Sequence, residues 1–269
     1  MGRYRTIEIS DPLFEGDNLR LLTFKSPSLG GRGDVTLFVP PECEDGENLP
    51  LLLLLHGVYG SHWAWSLKGG AHRTARRLIG QKLINPLVIA MPSDGLWGDG
   101  TGYLPHRSAD YESWIVNDVV GCVTDMIPCL GGRSKLFIAG LSMGGYGALR
   151  LGAKYARKFS GVSGHSSMTH HGQLSRFVEE PMASYRLTRE EEESGVLYWM
   201  RRNRETLPPV RFDCGTDDDL IEENRGLHRD LTAENIPHQY FEFEGGHTWE
   251  YWQRHLSDTL LFFEDQRVV

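Results

Sequence analysis

Short apolar segments alternate with longer amphipathic segments along most of this chain, and this alternation restricts the fold more than any other feature of the sequence. Several of the short segments are almost continuously apolar, as expected when helices cover both faces of a parallel sheet. The predicted strands are Pro50 to Leu55, Pro86 to Met91, Lys135 to Ala139, Phe159 to Ser163, Pro209 to Cys214 and His238 to Phe243. The predicted helices are Ala64 to Leu83, Tyr111 to Ile127, Gly145 to Arg157, Leu220 to Asn235 and Trp249 to Phe263. This order predicts an α/β protein with a doubly wound, mostly parallel sheet and right-handed crossovers.

Two parts of the chain depart from this alternation. The first forty residues form short strand-like segments around a glycine-rich turn at 30–33, which predicts antiparallel strands at one edge of the sheet. Residues 167–207 contain no strand-like segment, but Thr188 and Glu191 have the spacing of a capping box at a helix start. We expect this segment to be a small helical insertion over the C-terminal edge of the sheet. No linker is visible, so a single domain is expected over residues 1–269.

Charge and hydropathy limit the partners of the protein. A net charge of -8 argues against nucleic acid, because phosphate binding requires a basic surface. The longest apolar run, Leu49 to Leu55, is far shorter than the roughly 20 residues that a membrane helix needs. The polar residues 1–15 lack the layout of a signal peptide, which predicts a cytoplasmic protein. A homo-oligomer is compatible with this sequence.

The four cysteines follow no spacing that is typical of metal binding or of a redox motif. They are Cys43, Cys122, Cys129 and Cys214. We therefore expect buried, reduced thiols that pack as small hydrophobic side chains in a reducing compartment.

A Gly-Leu-Ser-Met-Gly pentapeptide at 140–144 lies between a predicted strand and a predicted helix. This context is that of a nucleophile elbow, a sharp turn that holds a reactive serine in a strained backbone conformation. Such a turn needs small residues two positions before and after the serine, and Gly140 and Gly144 meet that need. The positive end of the following helix also favours negative charge near the serine oxygen. Ser142 is the predicted nucleophile.

A serine hydroxyl needs a base at neutral pH, and after an elbow of this kind an acid and then a histidine follow in the chain. His247 lies in a glycine-containing loop between the last predicted strand and the last helix, which makes it the predicted base. His238 and His255 are weaker candidates. Position after the preceding strand leaves the acid open among four residues: Asp213, Asp217, Asp218 and Asp219.

Four motifs together resemble the putative-esterase family of α/β-hydrolases. They read Leu-His-Gly at 55–57, Gly-Leu-Ser-Met-Gly-Gly at 140–145, Cys-Gly-Thr-Asp-Asp-Asp-Leu at 214–220 and Gly-Gly-His-Thr-Trp at 245–249. The resemblance extends from about Val35 to the C-terminus and is nearest to small bacterial tributyrin-type esterases. It implies an α/β-hydrolase fold and a serine esterase that forms an acyl-enzyme, with small or sugar-linked esters of short acyl groups as substrates. It implies no metal and no cofactor.

The resemblance also implies a role for individual residues. The family's acid falls on Asp218, and the same comparison again gives Ser142 as nucleophile and His247 as base. The expected oxyanion donors are the backbone N–H groups of Val58 and Met143.

Other positions are weaker candidates for substrate contact. Trp63 matches an aromatic position that follows the oxyanion loop in the family, and Trp97 lies in a glycine-rich stretch at 94–103. His165 follows a predicted strand on the catalytic side. His56 matches a position that is usually structural in the family.

Three other functions are weighed against ester hydrolysis. An acyltransferase would use the same triad with an alcohol or sugar as acceptor. An S-formylglutathione hydrolase ranks lower, because the features of that group are not found in residues 94–103 or in the insertion. A non-catalytic binding protein is disfavoured because all three triad positions are filled.

Overall fold

The computed structural model of the protein describes residues 4, 6–185 and 191–267. Its centre is a nine-stranded sheet with the order β1-β2-β3-β5-β4-β6-β7-β8-β9. The strands are β1 (Glu8–Ile9), β2 (Leu19–Ser26), β3 (Gly31–Phe38), β4 (Leu51–Leu55), β5 (Val88–Pro92), β6 (Leu136–Leu141), β7 (Gly161–His165), β8 (Val210–Gly215) and β9 (Gln239–Phe243). The six strands β5-β4-β6-β7-β8-β9 pair in parallel. In contrast, β2 pairs antiparallel with both β1 and β3, and β3 joins β5 antiparallel. The predicted mostly parallel sheet with an antiparallel edge is confirmed.

Seven α-helical segments lie among the described residues. They are α1 (Ala71–Gly80), α2 (Tyr111–Ser113), α3 (Val120–Met126), α4 (Met143–Lys154), α5 (Val196–Arg202), α6 (Ile221–Ala233) and α7 (Trp249–Asp265). Two of the long predicted helices contain π-helical segments, Ala64–Lys68 and Trp114–Val119. The first predicted helix is also interrupted at Gly70, whose φ of 63° lies in the left-handed region.

The central strand shows why the sheet is doubly wound. All five leucines of β4 are buried, and successive side chains of a strand point to opposite faces. Leu52 and Leu54 pack in a core with residues of α1 and α7. Leu51, Leu53 and Leu55 pack in a second core with residues of α3, α4 and α6. The strand is therefore apolar throughout because both of its faces are covered.

The described part of residues 167–207 forms only short helices. Besides α5, these are the 3₁₀ helices His171–Arg176, Met182–Tyr185, Glu191–Ser194 and Arg204–Thr206. Three more 3₁₀ helices occur elsewhere, Pro12–Phe14, Pro41–Cys43 and Ala156–Lys158. Helix α5 contacts α4 and α6. The predicted capping residue Thr188 lies outside the described residues.

A disulfide joins Cys43 and Cys129, so the expectation of four reduced cysteines is wrong for this pair. Cys43 lies in the turn before β4 and Cys129 follows α3, and the backbone N–H of Leu49 donates to the carbonyl of Cys129 (2.9 Å). The two cysteines are 86 residues apart, a separation at which no local spacing reveals a pairing. The disulfide gives no support to a reducing compartment.

The other two cysteines, Cys122 and Cys214, are buried free thiols, as expected. Burial raises the pKa of Cys122 to about 12, and it raises that of Cys214 further. No helix among the described residues has the length and apolarity needed to cross a membrane.

We predict that the disulfide stabilises the fold by restricting the unfolded chain. Reduction should lower the free energy of unfolding by about 2–4 kcal/mol, the range typical of a disulfide that closes a long loop. Urea unfolding with and without dithiothreitol measures this difference. The double variant Cys43→Ser, Cys129→Ser is the control, because its stability should not respond to the reductant. Four titratable thiols in the unreduced, urea-unfolded protein would contradict the prediction.

Candidate active site

Ser142 occupies a strained turn between β6 and α4. Its backbone angles are φ 54° and ψ -119°, a conformation that is rare for a residue with a side chain. A Cβ on Gly144 would overlap the carbonyl oxygen of Leu55 in β4, and a Cβ on Gly140 would overlap the backbone of Gly144. The N–H of Ser142 donates to the carbonyl of His165 (2.9 Å), which fixes the turn against β7.

The imidazole of His247 lies between the hydroxyl of Ser142 and the carboxylate of Asp218. Its Nδ1 is 3.0 and 2.9 Å from the two oxygens of Asp218, and its Nε2 is 3.0 Å from Oγ of Ser142. An ionised carboxylate only accepts hydrogen bonds, so Nδ1 carries the proton and Nε2 accepts from the serine hydroxyl. Ser142 and Asp218 are buried, whereas 24% of the His247 side chain is exposed. The three side chains form a continuous hydrogen-bonded chain.

Asp218 is the one aspartate of its loop that faces His247, while the side chains of Asp217 and Asp219 point to solvent. Its Oδ1 also accepts from the N–H of Leu220 (2.8 Å). Burial acts to raise the pKa of Asp218, but the hydrogen bonds and charge of His247 and the N–H of Leu220 outweigh it, so that the pKa lies below its ordinary value. The carboxylate is therefore charged at neutral pH.

The loops that carry the acid and the histidine are joined by their backbones. The N–H of Asp217 donates to the carbonyl of Gly245 (2.9 Å), and the N–H of Thr216 donates to that of Phe243 (2.9 Å). Since β8 and β9 are parallel neighbours, both loops leave the same edge of the sheet. This pairing brings His247 back to Asp218.

The loop after β4 is held by His56, which is buried. Its Nδ1 donates to the carbonyl of Gly57 (2.7 Å), and its Nε2 accepts from the N–H of Asp94 (3.1 Å). The hydroxyl of Tyr103 donates to the carbonyl of His56 (2.9 Å). Both ring nitrogens are used within the protein, which fits the structural role expected for His56. The glycine-rich stretch at 94–103 thus supports this loop.

The backbone N–H groups of Val58 and Met143 find no acceptor within the described part of the chain. The side chains of both residues pack around Gly100, where an added Cβ would lie within 3.2 Å of Val58 Cγ1 and 3.1 Å of Met143 Cε. The next N–H, that of Tyr59, donates to the carbonyl of Asp99 (2.8 Å). These contacts hold the loop so that two N–H groups stay available beside Ser142.

A cleft of about 640 Å³ opens above Ser142 and His247. It is lined largely by aromatic side chains, namely Tyr59, Trp63, Phe177, Trp249 and Trp252, with Lys68, Glu250 and Gln253 as polar residues. Trp63 is 43% exposed and therefore accessible to a ligand. The π-helical segment Ala64–Lys68 follows it directly, and such segments are frequent at functional sites.

Trp97 does not line this cleft. It packs edge-to-face against His106 (4.9 Å) and Tyr185 (5.0 Å) and borders a separate cavity with Arg107 and Ser108. The stretch that carries Trp97 turns away to support the loop after β4, so its aromatic side chain is directed elsewhere. The expected substrate contact of Trp97 therefore gains no support from the lining of the cleft at Ser142.

The prediction of a substrate contact for His165 is wrong, because the side chain is fully buried. Its Nδ1 pairs with Asp213 (2.9 Å) and its Nε2 with the hydroxyl of Thr259 (3.0 Å). Asp213 also pairs with Arg211 and accepts from the hydroxyl of Tyr251 (2.8 Å). Burial acts to raise the pKa of Asp213, but His165 and Arg211 lower it to about 2. This second acid–histidine pair is structural, and a position at a strand end does not reveal which face a side chain takes.

The side chains of Asp118 and His170 form hydrogen bonds within the fold, outside the cleft at Ser142. The carboxylate of Asp118 accepts from the hydroxyl of Ser26 (2.5 Å) and the N–H of Ser28 (3.0 Å). Nδ1 of His170 accepts from the N–H of Gly172 (3.1 Å). Within the ranges that the structure describes, no three metal-ligating side chains converge.

Sequence reasoning missed Phe177 and Trp252, whose rings contact the imidazole of His247. Phe177 lies in the segment without strands, where no periodicity marks a functional side chain. Trp252 occupies the buried face of α7 and reads as an ordinary core residue. Helical spacing alone does not separate such a residue from one at the site.

Comparison with known proteins identifies the family of this chain. Residues 26–263 match the family model described as putative esterase. The chain is 29% identical over 231 residues to an acetyl esterase of Caldicellulosiruptor saccharolyticus, covering 80% of this chain and 83% of that protein. It is 28% identical over 174 residues to an S-formylglutathione hydrolase of Arabidopsis thaliana, 60% of each. A solved ferulic acid esterase superposes with a TM-score of 0.80 at 25% identity, covering 97% of this chain and 98% of that one. The predicted α/β-hydrolase fold is confirmed.

The two histidine–aspartate pairs should differ in their contribution to stability. His165→Asn should lower the free energy of unfolding by about 3 kcal/mol, because it leaves a buried charge without part of its compensation. His247→Asn is the variant for comparison and should cost less stability, because 24% of the His247 side chain is exposed and solvent reaches this pair. Urea unfolding at pH 7 compares the two. A loss of less than about 1 kcal/mol in His165→Asn would show that the buried pair is not structural.

Proposed function

This chain belongs to the family of putative esterases and is a carboxylic ester hydrolase, and we propose that it acts by two-step acyl transfer through Ser142, His247 and Asp218. The observation that carries the proposal is the hydrogen-bonded chain from Asp218 through His247 to Oγ of Ser142. It provides the base that a serine nucleophile requires.

In the first step, Oγ of Ser142 attacks the ester carbonyl while Nε2 of His247 takes its proton. Asp218 holds the imidazole and stabilises its charged form. The imidazolium then protonates the departing alcohol, which leaves an acyl-enzyme on Ser142. In the second step a water molecule gives a proton to His247 and attacks the acyl group, and the proton returns to Ser142 as the acid departs.

The negative charge of each tetrahedral intermediate falls on the former carbonyl oxygen. We assign its stabilisation to the N–H groups of Val58 and Met143, which lie beside Ser142 and have no acceptor among the described residues. A donor of this kind contributes roughly 3–4 kcal/mol to the transition state. The N-terminus of α4 adds a favourable field at the same place.

The proposed substrates are small or sugar-linked esters with short acyl groups. The acetyl esterase relative supports the short acyl group, and the exposed face of Trp63 offers a surface for the alcohol part. We further propose that residues 167–207 are an insertion in a single domain, since its Phe177 lines the cleft. A cytoplasmic location stays a prediction.

Substitution of three neighbouring aspartates, one at a time, tests which of them is the acid of the triad. Asp218→Asn should lower kcat by about 10⁴-fold, because the amide favours the wrong imidazole tautomer. Asp217→Asn and Asp219→Asn are matched controls and should stay within about threefold of the wild type, because both side chains are exposed and point away from His247. Hydrolysis of 4-nitrophenyl acetate measures kcat, with Ser142→Ala as the inactive reference. Full activity of Ser142→Ala would overturn the proposed mechanism.

The acyl preference can be tested with a panel of esters. We expect kcat/KM to be highest for acetyl esters and to fall by at least about tenfold for octanoyl esters, because each poorly placed methylene costs transition-state binding. Methyl ferulate and S-formylglutathione test the activities for which relatives are named, acetylated xylobiose tests a sugar-linked ester, and an added alcohol tests acyl transfer. A kcat/KM for methyl ferulate above that for the acetyl esters would contradict the prediction.

A further inference from the structure

Two aromatic rings contact the imidazole of His247 in addition to its hydrogen-bond partners. The ring of Phe177 is stacked on it, with 5.9 Å between the ring centroids and 14° between the planes. The ring of Trp252 is perpendicular to it, with 4.9 Å between the centroids and an angle of 90°. The base is therefore held by two rings of different orientation.

The ring of Trp252 is held by a hydrogen bond of its own. The side chain is buried, and its indole N–H donates to Oγ of Ser166 (3.1 Å). Ser166 is fully buried with a φ of 46°, which is unusual for a residue other than glycine, and its own N–H donates to the carbonyl of Asp213 (2.8 Å). Backbone strain of this kind persists only where the surrounding structure holds it. Burial and this hydrogen bond hold the indole of Trp252 beside His247.

The ring of Phe177 is tied to the acid loop through its neighbour Arg176. The guanidinium of Arg176 pairs with Glu223 and donates from Nη2 to the carbonyl of Asp219 (2.7 Å). It also lies 5.7 Å from the centroid of the Phe177 ring. Asp219 directly follows the acid Asp218, so the same contacts place the ring relative to the acid and to the base.

Hydrogen bonds at Nδ1 and Nε2 leave an imidazole free to tilt about the line that joins the two nitrogens. In the proposed reaction, Nε2 of His247 must serve first the serine oxygen and then the departing oxygen, so a tilt of the ring misplaces the proton. A displacement of about 1 Å in such a site can cost about 100-fold in rate. Aromatic faces also attract the imidazolium that forms in each step.

We propose that Phe177 and Trp252 form an aromatic clamp that positions the catalytic base His247. The clamp makes the segment that carries Phe177 a working part of the active site. This inference rests on the proposed function, since it requires His247 to act as the base. Phe177 and Trp252 are positioning residues, because they act through His247.

A substitution that removes the aromatic ring of Phe177 distinguishes a positioning role from a substrate contact. Phe177→Leu should lower kcat for 4-nitrophenyl acetate by roughly 10–100-fold with KM within about threefold. Phe177→Tyr keeps the ring and should retain at least a third of the wild-type kcat. The low-field proton resonance of the hydrogen bond between Nδ1 of His247 and Asp218 should broaden or disappear in Phe177→Leu and persist in Phe177→Tyr.

Arg176→Gln tests the anchor of the ring and should fold, since the side chain is 41% exposed. We expect kcat to fall by roughly fivefold in the wild-type background but by less than twofold in Phe177→Leu, because effects that act through one contact are not additive. This variant also tests the inference if Phe177→Leu does not fold.

Tyr240→Leu is the matched control for loss of a ring. Tyr240 stacks on His228 with 4.8 Å between the centroids and 26° between the planes, on the outer strand β9. Its removal should leave kcat within twofold. Unchanged kcat in Phe177→Leu, or a raised KM alone, would overturn the clamp while the proposed function stands. Activity in Ser142→Ala would instead reject the proposed function itself.

Discussion

The close packing of the turn after β6 against the end of β4 is the constraint on which the rest of the site depends. Ser142 keeps a strained backbone because Gly144 lies directly against the carbonyl of Leu55, where no side chain fits. The same contact sets the distance from Ser142 to the loop after β4, which provides the N–H of Val58. One backbone contact therefore places both the hydroxyl and one proposed oxyanion donor, and the N-terminus of α4 follows from it.

The two aspartates of the β8 region show how position on a parallel sheet assigns different roles to similar side chains. Asp213 lies within the strand, fully buried, and its charge is compensated by Arg211 and His165. Asp218 lies in the loop after β8. This loop leaves the same edge of the sheet as the turn after β6 and the loop after β9. Both carboxylates have a lowered pKa, but only Asp218 reaches the imidazole that faces Ser142.

The alternation of strands and helices could be predicted because helices cover both faces of the sheet, which makes the central strands apolar throughout. The turn at Ser142 could be predicted because the close approach of the backbone leaves room only for glycine at Gly140 and Gly144. Local patterns do not encode distant contacts. The pairing of Cys43 with Cys129 joins segments 86 residues apart. The prediction for His165 is wrong because a strand end does not show which face a side chain takes. Phe177 lies in irregular structure, where sequence periodicity carries no information.

The described part of residues 167–207 contains no strand, but it contacts both the acid loop and the residues around the proposed oxyanion donors. Arg176 binds the acid loop through the carbonyl of Asp219. Further along the segment, the hydroxyl of Tyr185 donates to the carbonyl of Gly100 (3.0 Å), and Gly100 packs against Val58 and Met143. A displacement of this segment would therefore disturb the base and the oxyanion donors together, although it contributes none of the reacting groups.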